Sequence, residues 1–151
     1  MGQSDFAQQA LVEREMLNHL IGALRATMAW QVEGDDWSRR LSTLRFIAQS
    51  FQRHLGRLMA LEEYDGYMNV VMEASPHLSR AVNGLKQEHA QFRIAAVRIV
   101  HRLEGISADD HPAFARVCDD LQSLLQVLDE HHVKEAELLH EAFARDGGGE
   151  G

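Results

Sequence analysis

The chain has 151 residues, two prolines, one cysteine and a formal net charge of −8 at pH 7. That length suits a single domain with a sizeable core, while the acidic balance and scattered Lys and Arg exclude a nucleic-acid surface, which needs a basic stripe. Cys118 stands alone, so no internal disulfide forms. No run reaches about 18 apolar residues, and Asp5, Glu13 and Glu15 stand where a secretory leader is basic and then apolar, so a cytoplasmic protein without membrane contact is expected.

Apolar residues recur at spacings of three and four, without a long period-two run, which predicts an all-α chain. The first helix is expected from about Ser4 to Gln31, stopping at the turn Glu33-Gly34-Asp35-Asp36. The second runs from about Trp37 to Asp65, with Gly66 as a left-handed C-terminal cap. After a hook through Tyr67 to Ala74, Ser75-Pro76 supplies the N-cap and first position of a third helix that ends at Glu104-Gly105. The fourth spans about Asp110 to Arg145. Residues 1–146 form the domain and 147–151 a flexible tail. Four long helices with short connections predict an antiparallel up-down-up-down four-helix bundle.

Stepping 100° per residue sorts the inward faces. The first helix turns Phe6, Ala10, Leu17, Ile21, Leu24 and Met28 inward, with Arg14 among them and His19 opposite. The second turns in Leu44, Ile47, Phe51, Leu55 and Leu58, with Glu62 at the centre of the stripe and Glu63 pointing away. His89 sits between Leu85 and Phe92 on a third stripe that also holds Leu78, Val82, Ala96 and Leu103. Glu135 lies within the fourth, framed by Phe114, Val117, Leu121, Leu124, Leu128 and Leu139, with His131 and His132 on its flanks.

Buried carboxylates and imidazoles are costly without partners, so Arg14, Glu62, His89, His131 and Glu135 must meet one another or a metal ion. Their heights agree. With turns centred near residues 34 and 107, Glu62 and Glu135 both lie 28 residues beyond a turn, and Leu58 and His131 both lie 24. Glu13-Arg14 and Leu58-x-x-x-Glu62 thus answer Glu88-His89 and His131-x-x-x-Glu135, the signature of a duplicated helical hairpin.

Glu88-His89-x-x-Phe92, His131-x-x-x-Glu135-x-x-Leu138-Leu139 and Leu61-Glu62-Glu63 leading into Gly66-Tyr67 together resemble the hemerythrin-like, or HHE cation-binding, family over essentially the whole chain. The resemblance implies a non-haem di-iron centre held by helix-borne His and Glu, in proteins that bind dioxygen or other small diatomics, handle peroxide, sense oxygen or nitric oxide, or store iron. Carried over, the metal ligands are Glu62, His89, His131 and Glu135. The chain departs from the pattern where Arg14 and Leu58 occupy two His positions and Arg93 a third.

Two readings follow. In the first, the four ligands hold iron, mononuclear or dinuclear, or zinc, and a small diatomic or peroxide ligand takes the open positions. In the second no metal is bound: the guanidinium of Arg14 neutralises Glu62 and Glu135, and the bundle is a structural or interaction module. Catalysis and homodimer formation stay open in both.

The remaining polar residues are expected to matter less. His54 is about 12 Å along the axis from Glu62, so it and His19 do not replace the missing ligands. His132 is an alternate to His131. Tyr64 and Tyr67 are expected as core or cap aromatics, with a phenol beside the metal as the minor reading. Glu63, Asp65, Glu137 and His140 are assigned to the surface, His77, His101 and His111 to loops or exposed positions, and Cys118 to a small apolar role.

Overall fold

The computed structural model describes residues 3–31, 36–64 and 66–148, with side chains described over 5, 7–31, 36–64 and 66–144. Every regular element among them is helical: α1 (Gln3–Ala29), α2 (Asp36–Tyr64), α3 (Tyr67–Ala74), a single 3-10 turn (Pro76–Leu78), α4 (Ser79–Gly105) and α5 (His111–Gly148). Contacts run from α1 to α2, α2 to α4, α4 to α5 and α5 back to α1, so the four long helices close around a shared core. No described helix is long and apolar enough to cross a membrane.

The boundaries follow local chemistry. Asp110 accepts a hydrogen bond from the Ala113 amide at 3.2 Å, satisfying one of the free N–H groups that open α5. At the opposite polarity, Arg45 donates to the Leu103 carbonyl at 2.6 Å and the Ile106 carbonyl at 2.5 Å, while Arg40 reaches the Thr27 carbonyl at 3.0 Å and that of Met28. Both arginines add side-chain donors to carbonyls at the C-terminal ends of α1 and α4, where the helical ladder runs out.

Several expectations need correction. The hook after α2 is itself a helix, because α3 can bury Met68 and Val71 against Leu78, Val82, Leu85, Leu138 and Ala142. Ser75 and Pro76 open the 3-10 turn and not the long third helix, which starts at Ser79; the Ser75 side chain makes no capping bond. Gly66 is extended (φ −104°, ψ −161°) rather than left-handed. It is needed for closeness: a Cβ there would collide with the Leu61 carbonyl oxygen and stand 2.7 Å from the Glu62 Cα. The final helix continues through Gly147 and Gly148, two residues of the expected tail. Residues 33–35, Asp65, residues 149–151 and the Phe6 side chain lie outside what is described.

The core is divided. One apolar cluster extends from Leu17, Ile21, Leu24 and Met28 through Leu44, Phe51, Leu55, Leu58 and Met59 to Phe92, Leu103, Phe114, Leu121, Leu125 and Leu128. A second holds the α3 residues with Leu85, Leu138 and Ala142. Between Leu85 and Phe92 on α4, and between Leu128 and Leu138 on α5, the inward positions pass to His89, His131 and Glu135, so a polar layer separates the two clusters.

Candidate metal centre

All four long helices contribute to the polar layer: α1 places Arg14, α2 Glu62, α4 His89, and α5 both His131 and Glu135, one turn apart. Glu62, His89, His131 and Glu135 are 4%, 1%, 1% and 2% exposed. Ligand atoms of His89, His131 and Glu135 all lie within 4.8 Å of one another, a group that could hold a metal ion. The Nε2 atoms of His89 and His131 face each other at 3.1 Å. Glu135 Oε1 is 3.4 Å from His131 Nε2, and Glu62 Oε1 is 3.5 Å from His89 Nε2.

Those edges suit a cation. Two ligands each about 2.1 Å from an ion stand about 3.0 Å apart when cis in an octahedron and about 3.4 Å apart in a tetrahedron. Glu135 Oε1 and His89 Nδ1 are buried without a hydrogen-bond partner, which ordinarily marks a missing ligand or strain. An ion held by the two Nε2 atoms would give Glu135 Oε1 a partner and would leave Nδ1 of each ring to carry its proton.

On their outer sides both rings meet carboxylates. His131 Nδ1 is 2.8 Å from Glu88, which Lys134 contacts at 2.7 Å from the surface. His89 Nδ1 is 3.6 Å from Glu63, which is paired with Arg93. The Glu88 carboxylate fixes the His131 tautomer that presents Nε2 as a lone pair and raises its basicity, whereas Glu63 lies beyond hydrogen-bond distance of His89 Nδ1 and leaves that tautomer open. Glu63 is still no surface residue pointing away. It is partly buried, and the side of α2 next to the apolar stripe faces α4. Glu88 was visible only as part of a motif, and its partner is on another helix.

Arg14 Nη2 is 2.8 Å from Glu62 Oε2 and 3.6 Å from Glu135 Oε1. Tyr67, at the start of α3, donates its hydroxyl to Glu135 Oε2. Burial, followed by the adjacent Glu135, pushes the Glu62 carboxyl up to about 10, against the pull of Arg14. Burial also works to raise Glu135, but the Glu62 carboxylic acid, the Tyr67 hydroxyl, His131 and Arg14 outweigh it and hold Glu135 below the usual carboxylate range. Without metal the pair thus keeps one proton and one negative charge, and Arg14 balances that charge. Burial and then His131 lower His89 to about 4, leaving a neutral imidazole. Burial and Glu135 push the Tyr67 phenol up, so it remains a donor.

Leu58 is buried in the larger apolar cluster. His54 instead hydrogen-bonds Glu13 at 2.5 Å, outside the ligand group, and His19 is exposed. His132 is half-buried with its ring 6.0 Å from that of His131 and does not join the group. Tyr64, expected as a core or cap aromatic, is 73% exposed; Tyr67 is the phenol at the site. His77, His101, His111, Glu137 and His140 are exposed, although His111 stacks on Trp37 at 3.9 Å. Cys118 is buried, and burial pushes its thiol up, away from nucleophilic chemistry. No protein-family model, curated protein or solved structure matches the chain.

Proposed function

We propose that this chain is a hemerythrin-like antiparallel four-helix bundle that holds a single non-haem iron ion on His89, His131, Glu135 and Glu62 and presents it to dioxygen, peroxide or nitric oxide. The observation that carries the reading is the unpartnered Glu135 Oε1 beside the two Nε2 atoms that face each other at 3.1 Å. Two imidazoles and carboxylate oxygens form the donor set of non-haem iron(II) centres with open positions. Iron supplies reversible redox chemistry and affinity for small oxygen and nitrogen ligands.

The protein's own residues do the rest. Glu88 and Glu63 orient the rings, Tyr67 holds one oxygen of Glu135 so that the other faces inward, and Phe92 meets the His131 ring edge-on at 5.0 Å. Arg14 restricts the site to one ion, because a permanent positive charge stands where a second ion needs an imidazole. Metal titration of the purified chain tests this: one equivalent of iron should bind, and His89→Ala should abolish binding. Zinc in preference to iron would keep the site but remove its redox role.

The contact of Arg14 with Glu62 at 2.8 Å favours a second reading, a metal-free bundle in which the guanidinium neutralises the carboxylates and the chain serves as a structural or interaction module. Its mark is a colourless, metal-free protein that Arg14→Ala destabilises by several kcal/mol.

A further inference from the structure

Beside the polar layer, α1, α3 and α5 stand apart around a cavity of about 440 Å³ lined by Ala7, Ala10, Leu11, Val70, Leu139 and Phe143, with Arg14, Glu62 and Tyr67 at one end. The volume is that of a small-molecule site, and the arrangement of apolar walls with a few convergent polar groups is the usual form of one. Leu11 and Phe143, 62% and 50% exposed, mark its outer side. Of these three, Glu62 is one of the paired carboxyls, and Arg14 and Tyr67 are the groups that touch the Glu62–Glu135 pair. Nothing in binding a diatomic molecule requires a cavity this large.

We propose that this cavity binds an uncharged medium-chain aliphatic molecule with a hydroxyl-type head, an alcohol or an alkyl hydroperoxide, whose tail lies along Leu11, Val70, Leu139 and Phe143 and whose head meets Arg14, Glu62 and Tyr67. Charge decides the class. The guanidinium of Arg14 is already engaged by Glu62 at 2.8 Å and by Glu135 at 3.6 Å, which together balance its charge, so an anionic head finds no free cation and a cationic head meets Arg14. A neutral O–H both donates and accepts, which suits an end built from a guanidinium, a carboxyl and a phenol. The inference rests on the metal reading only in placing the head beside an ion; the cavity itself is formed by the chain.

Octanol, octyl hydroperoxide, octanoate and octylamine titrated into the full chain, metal-free and iron-loaded, test the proposal through the methyl resonances of Leu11, Val70 and Leu139. The two neutral probes should shift those methyls, and the charged ones should bind at least about tenfold more weakly, a difference of about 1.4 kcal/mol. Val70→Trp and, independently, Leu11→Trp should each fill the cavity and weaken octanol binding at least about tenfold while helix content stays unchanged. Equal binding of octyl hydroperoxide and octanol assigns the head to Arg14 and Tyr67. A preference for the hydroperoxide that appears only with iron assigns it to the metal, and either result supports the proposal. Failure of both neutral probes to bind, octanoate binding as tightly as octanol, or tryptophan variants that bind normally would overturn it. Octanol binding without iron binding defeats the metal reading alone; iron binding without octanol binding defeats this inference alone.

Discussion

His89 and His131 point their Nε2 atoms at each other across 3.1 Å while each turns Nδ1 toward a different carboxylate. The Glu88 contact at 2.8 Å makes Nδ1 the protonated nitrogen of His131, so its Nε2 is a bare lone pair. His89, neutral at pH 7, then has two choices in the metal-free chain. It can donate from Nε2 to His131, leaving Nδ1 unpartnered, or protonate Nδ1 and set two lone pairs face to face. A cation removes the conflict, and this symmetry is the strongest physical argument for one.

The carboxylates behind the rings should therefore matter nearly as much as the ligands. Glu88→Gln and Glu63→Gln should each weaken metal binding by about 10- to 100-fold, read by competition with a chelator. Thermal unfolding of the metal-free protein should change little for Glu88→Gln, since the exposed Lys134 is its other partner. Affinity unchanged in both variants would show that the rings are oriented by packing alone.

The four long helices and the depth of Glu62, His89, His131 and Glu135 were legible because a 3.6-residue period carries both the apolar stripe and the interruptions in it. The carboxylates that orient the rings were not. Glu63 follows Glu62 directly, and one residue is a 100° rotation, so a helical wheel sends it outward; only the proximity of α4 brings it to His89. Glu88 reaches His131 across 43 residues of sequence, a cross-helix relation no local spacing encodes. The same limit hid α3: Tyr67 to Ala74 is too short for periodicity to distinguish a helix from a hook, yet it delivers the phenol that holds Glu135. Gly66 was recognised as special for the wrong reason, since a close backbone approach leaves no sign distinct from that of a left-handed cap.

Arg14 should act in opposite directions on stability and on metal affinity. Arg14→Leu leaves Glu62 and Glu135 without their cation and should destabilise the metal-free chain by about 3 kcal/mol, read by denaturant unfolding. The same change removes the charge that opposes an ion, so metal affinity should rise. A variant equally stable and no better at binding metal would mean that the guanidinium lies mainly in solvent.

The two groups with the largest opposing shifts at the site, His89 and Glu62, act on the pH dependence of the metal-free protein with opposite signs. His89 is lowered from 6.5 to about 4 in the folded chain, so the unfolded chain takes up its proton first and stability is lost as pH falls from 6.5 toward 4. Glu62 is raised from 4.5 to about 10, so the folded chain retains a proton that the unfolded chain has released, and stability is lost as pH rises from 4.5 toward 10. The two slopes oppose each other between 4.5 and 6.5, giving a broad maximum there, with a decline of at most about 1.4 kcal/mol per pH unit on the alkaline side. Glu62→Gln should flatten that alkaline limb in chemical denaturation; an unchanged limb would assign it to another group.

Restoring imidazole at the two divergent positions tests the duplicated geometry. Arg14→His combined with Leu58→His should raise the metal content from one to two equivalents, because both positions lie on inward stripes at the level of the site. Content remaining at one would show that the first hairpin no longer has room for an ion.

The metal content of the chain as isolated from iron-replete expression bears most directly on the whole account. One equivalent of iron per chain, absent from His89→Ala and from His131→Ala that retain full helix content, is the predicted result. A fully folded wild-type chain that carries no metal and takes up neither iron nor zinc on titration would contradict it and leave Arg14 as the permanent partner of Glu62 and Glu135.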